Sequence, residues 1–115
     1  MARRAMRQAQ ADPTGENLHQ WRKATKTLWY QLRLVRNYNV ESITPLLEPL
    51  DNLGRTLGAE HDLTVAIAEI EPGQGRRKEA KCQRKAIRVD AFAQGQLIFA
   101  PKPKAFARSL DLTLA

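Results

Sequence analysis

LHQWRKATKTLWYQLRLVR, residues 18–36, is the stretch on which the reading of this chain turns. At about 100° per residue, Leu18, Trp21, Thr25, Leu28, Trp29, Leu32 and Val35 fall in one arc, the pattern of an amphipathic helix. A second arc holds His19, Arg22, Lys23, Lys26, Tyr30 and Arg33, with Gln20, Thr27 and Gln31 in the gap between them. Leu34 alone is out of place. Solvated helix faces usually mix signs, because like charges at i,i+4 destabilise and opposite charges stabilise. Yet no acid occurs from Gln20 to Asn39. The stripe of one histidine and four permanent cations therefore carries an uncompensated electrostatic cost, which an anionic partner would relieve. Spacings of three and four set the heads along roughly 20 Å of helix, so a linear polyanion lying on it touches several at once. The plainer alternative is a solvated face with no partner.

Working outward, Ala2 to Ala11 reads as a short helix, broken by Asp12-Pro13-Thr14-Gly15. Asp12 or Thr14 suits the N-cap of the second helix, Glu16 suits its first turn, and Asn37-Tyr38-Asn39 reads as its end, giving a span of about Glu16 to Tyr38. Ser42 and Thr44 are candidate caps for a third helix, with Pro45 in its first turn and Pro49 either at its start or kinking it. Leu46, Leu50, Leu53, Leu57, Thr64 and Ile67 make its core stripe, with Gly54 and Gly58 beside it as places where a neighbouring helix can approach closely. Glu71-Pro72-Gly73-Gln74-Gly75 is a clear break. Arg76 to Phe99 is a fourth helix, on which Arg77, Lys81, Arg84 and Arg88 share one face as a second basic run. Pro101-Lys102-Pro103 ends it, and Ala105 to Leu112 suggests a short last helix. Period-two alternation is not sustained anywhere, so the expected fold is all-α: a single domain over residues 1–115 built as an antiparallel helical bundle.

Composition narrows the function classes. Net charge is +7 with 43% hydrophobic residues, a balance that favours polyanions: nucleic acid, polyphosphate or an anionic membrane surface. Apolar runs stay well short of a membrane span, and MARRAMRQAQ lacks the apolar stretch of a signal peptide. Cys82 is the one cysteine, so no intrachain disulfide forms and no Cys/His cluster has zinc spacing. The cytoplasm is the default location. A glycine-rich phosphate loop, G-x-S-x-G and H-E-x-x-H are all missing, so no catalytic role, metal or cofactor is expected. His61 falls inside the apolar arc of the third helix. It reads either as a partly buried structural histidine or as the edge of a groove facing His19. Trp21 and Trp29 lie in the apolar arc and read as core; Tyr30, at the edge of the basic stripe, has a hydroxyl free to donate.

Leu18-His19-x-Trp21-Arg22-Lys23-x-x-Lys26-x-Leu28-x-Tyr30 resembles the hallmark helix of the CHAD family, the conserved histidine α-helical domains, and Leu57-Gly58-x-x-His61-Asp62-Leu63-x-Val65 is similar to its second signature. Ala91 to Leu110, with Gly95, Leu97, Phe99, Lys102, Pro103, Phe106 and Leu110, looks like the closing segment. The resemblance implies a helical bundle whose basic surface binds inorganic polyphosphate without catalysis. His19, Arg22, Lys23 and Lys26 then carry over as phosphate contacts, and His61 as the second-signature histidine; Arg33 and the fourth-helix cations extend the surface. It also implies that the chain is one repeat, the second, of a two-repeat domain, so that the other repeat or a second copy is an expected partner. The chain departs from the family at Trp29, where a basic residue is common. Two other functions remain open: nucleic-acid binding, or a regulatory partnership with a polyphosphate- or triphosphate-processing enzyme.

Overall fold

A computed structural model describes residues 1–99. These form α1 (Ala2–Ala11), α2 (Gly15–Val35), a single 3-10 turn (Arg36–Tyr38), α3 (Val40–Glu69) and α4 (Gly75–Phe99). The short last helix expected over Ala105 to Leu112 lies outside the described residues. Helix α1 lies against α2 and α4, α2 against α3, and α3 against α4, as in the expected bundle.

The turn chemistry resolves the capping alternatives. Thr14 is the N-cap of α2: its hydroxyl accepts from the Asn17 amide at 3.1 Å. Asp12 contributes its backbone instead, accepting from the Asn17 side chain at 2.9 Å. The cap of α3 is a correction. It is Asn39, whose side-chain oxygen accepts from the Ser42 amide at 3.1 Å, and neither Ser42 nor Thr44 caps the helix. Asn39 has φ −160°, so it is extended backbone and opens α3 rather than closing α2 in a left-handed conformation. Both prolines consequently lie inside α3. Each removes an amide donor from the helix and leaves the carbonyl four residues earlier without that bond.

The core is keyed by Trp21. Its ring is fully buried and stacks on Phe92 of α4, with centroids 5.2 Å apart. The slot for the indole is Gly95: a Cβ there would stand 2.7 Å from both Met6 Sδ and Trp21 Cζ2. Three helices thus meet around one tryptophan. Leu18, Thr25 and Leu32 of the α2 apolar arc are buried in the core with Leu50, Leu53 and Leu57 of α3, while Leu28, Trp29 and Val35 are partly buried at its edge. Leu34, outside that arc, is 81% exposed.

Candidate functional site: a basic seam between α2 and α3

Antiparallel packing brings the α2 stripe onto α3 in a regular register. The rings of His19 and His61 stack with centroids 4.5 Å apart and planes 21° apart. One turn along, Arg22 lies over Gly58, its Nε 3.5 Å from where a Cβ would be; a further turn along, Lys26 lies over Gly54 at 3.9 Å from its Cγ. In each facing pair the residue numbers add to the same total, as antiparallel helices in fixed register require. His61 thus faces His19, as the groove reading expects, and is half-buried, as the structural reading expects. The glycines, expected as points of close helix approach, face two cationic side chains of α2.

Beside Arg22 and Lys26 runs a cleft of ≈ 320 Å³, which neither His19 nor His61 lines. Helix α2 lines it with Arg22, Lys26, Trp29 and Tyr30. Helix α3 lines it with Leu50, Asp51, Gly54, Arg55 and Gly58. Its one carboxylate, Asp51, stands at the Tyr30 end and is bridged to Arg55 at 3.2 Å. The other end has no acid to balance Arg22 and Lys26. Two nitrogens along the seam are buried without a hydrogen-bond partner, His19 Nδ1 and Arg22 Nε. His19 is held below the ordinary histidine pKa, first by burial, then by His61, Lys23 and Arg22; Glu16 opposes them. The electrostatics around His19 thus disfavour one more positive charge, and an approaching anion would reverse that.

The remaining expected contacts divide. Lys23 is exposed beside the seam without lining the cleft. Arg33 is exposed, with its guanidinium over the Trp29 ring at 4.8 Å. None of the four fourth-helix cations lines the α2–α3 cleft. Lys81 is exposed. Arg77 donates to the Ile70 carbonyl at 3.2 Å, closing the end of α3. Arg88 donates to Glu60 through Nε at 3.3 Å and Nη2 at 3.1 Å. Glu60 is 1% exposed and also accepts from the Thr64 hydroxyl at 2.7 Å. Arg84 is half-buried; burial and the neighbouring Arg88 push its pKa down, with Glu60 opposing. Arg88 therefore ties α4 to α3 through an internal ion pair, whereas Arg77 bonds α3 through one nitrogen only and lines a separate pocket with Lys78 and Lys81. Sequence reasoning also passed over Arg55 and Asp51, which line the cleft; their i,i+4 spacing was the available signal.

Among the described residues no group of histidines, cysteines and acids is placed to hold a metal ion, and no helix is long and apolar enough to cross a membrane.

An all-α domain with a histidine pair and a basic seam between two antiparallel helices is the class of protein that this fold and site define. The family model for the CHAD domain matches residues 1–71, and the chain belongs to that family. The matched stretch contains α1 to α3, and so the whole seam, and stops before α4. No curated protein and no solved structure matches the chain.

Proposed function

We propose that the chain is a non-catalytic module that binds inorganic polyphosphate along the α2–α3 seam. The observation that carries this is the seating of Arg22 and Lys26 over Gly58 and Gly54. Two cations from successive turns point into one cleft with no acid at their end. CHAD domains are linked in general to polyphosphate- and triphosphate-related functions, which favours a phosphate chain as the anion. His19, Arg22, Lys23 and Lys26 are the proposed contacts, with His61 orienting His19. Arg33 and Lys81 add charge to the surface around them, whereas Arg84 and Arg88 act mainly in packing.

A nucleic-acid ligand is the second reading, favoured by Tyr30, which is 56% exposed at the cleft; exposed aromatics serve as stacking platforms for bases. Competition between labelled long-chain polyphosphate and single-stranded DNA, at equal phosphate and fixed salt, separates the two. The label should stay largely bound. Displacement by DNA at equal or lower phosphate would replace the first reading with the second. Affinity should also fall steeply with salt, by analogy with the log–log slope of about −0.7 per phosphate for single strands.

A further inference from the structure

The two ends of the α2–α3 cleft differ in chemistry. Arg22 and Lys26 form one end. At the other, Trp29, Tyr30 and Leu50 make an aromatic and aliphatic wall, and the Asp51 carboxylate stands beside it, held by Arg55 at 3.2 Å. An inorganic phosphate chain is anionic along its whole length. It gains nothing from an apolar wall, and Arg55 at that end is already paired with a carboxylate.

We infer that the cleft takes a nucleoside polyphosphate, with its phosphates at Arg22 and Lys26 and its base against the Trp29–Tyr30 pair. This rests on the reading of the seam as a phosphate site and names the ligand class of its cleft. Three features fit. The ≈ 320 Å³ volume lies at the small end of the range for small-molecule sites, about 300–1,000 Å³. The Tyr30 ring, edge-to-face with Trp29 at 5.0 Å, is exposed and offers the flat apolar surface a base needs. Asp51 accepts hydrogen bonds from a base amino group or a sugar hydroxyl.

The test is calorimetric titration of the full chain at one fixed salt concentration, without divalent cation. Three probes are used: long-chain polyphosphate, tripolyphosphate and adenosine 5′-triphosphate. The last two carry equal numbers of phosphates, so the nucleoside is what distinguishes them. The triphosphate should bind about tenfold more tightly than tripolyphosphate, the order expected from stacking one base on an aromatic ring. Tyr30→Leu should reduce that ratio to within about twofold, and Asp51→Asn should narrow it by improving tripolyphosphate. Melting curves check that both variants are folded; Tyr30 is exposed and Asp51 is 40% exposed. If long-chain polyphosphate binds but the nucleotide is no better than tripolyphosphate, the inference is overturned while the polyphosphate reading stands. An advantage that survives in both variants overturns it too, since the base then sits elsewhere. If none of the three binds, both fall together.

Discussion

Two half-buried arginines lean on α3 two residues apart, and they have opposite surroundings. Arg88, from α4, reaches Glu60, a carboxylate with almost no exposure. Arg22, from α2, reaches Gly58 and finds no acid there. A buried charge is tolerated when its partner is built in, and removing one partner of such a pair is costly. Arg88 therefore belongs to the architecture. Arg22 has no ion pair there, and its Nε is buried without a hydrogen-bond partner, which fits its proposed role as a phosphate contact. Basic residues at helical spacing look alike in a sequence; the acid across the interface tells them apart.

The largest expected effect breaks the first half of this contrast. Arg88→Ala strands Glu60 without its cation and should cost about 3–5 kcal/mol of stability, read from urea unfolding. A loss below about 1 kcal/mol would mean that Glu60 is satisfied some other way. Replacing both partners by leucine should recover much of the loss, because two apolar groups leave no charge stranded.

The second prediction breaks the other half. Arg22→Glu with Lys26→Glu should abolish polyphosphate binding and leave the melting temperature nearly unchanged, since neither side chain makes an internal ion pair among the described contacts. Normal binding by this variant would reduce the seam to a solvated face. Arg22→Ala alone should flatten the salt dependence by roughly 0.7 in log–log slope if it meets one phosphate.

His19 sharpens the comparison through pH. Its folded-state pKa is lowered, so between that value and the unfolded one the unfolded chain binds more protons. The contribution of His19 to stability is therefore present above the unfolded pKa and is lost as pH falls through the folded one. A bound polyanion raises the His19 pKa, so protons and ligand assist each other. Acid should thus weaken the free fold and strengthen the complex, and the gap in melting temperature between free and polyphosphate-bound protein should widen from pH 8 towards about pH 5.5. His19→Ala should flatten that trend, with His61→Ala run beside it because the two rings stack. An unchanged pH profile in His19→Ala would leave binding to the permanent cations alone.

The smallest effect concerns the seat itself. A Cβ at Gly58 meets Arg22 at an ordinary contact distance of 3.5 Å. Gly58→Ala should therefore be tolerated and gain about 0.5–1 kcal/mol from helix propensity. A destabilised Gly58→Ala would restore the view that this glycine exists for close helix packing.

Much of this was legible in residues 18–36. The apolar arc predicted the burial of Trp21, Thr25 and Leu32, because helical period alone decides which side chains share a face. The groove alternative for His61 follows from the same periodicity applied to α3. The Arg88–Glu60 pair was not legible. It depends on how α3 and α4 are rotated and offset against each other, and that is settled by the whole core. Asn39 was misassigned because asparagine suits both the end of one helix and the cap of the next, and the two prolines drew the expected start of α3 downstream. The seats at Gly54 and Gly58 escaped notice because a glycine pair signals that space is available without saying what fills it.

Trp21 and Arg22 are successive residues, so their side chains leave α2 about 100° apart. The indole fits a notch that Gly95 leaves open on α4. That notch acts as an index pin: it fixes the rotational phase of α2, and with it the bearing along which His19, Arg22 and Lys26 project. Aim and stability are thus separable. A replacement for Trp21 that fills its volume without engaging the notch could keep the protein folded while turning its cations away from the glycines that receive them.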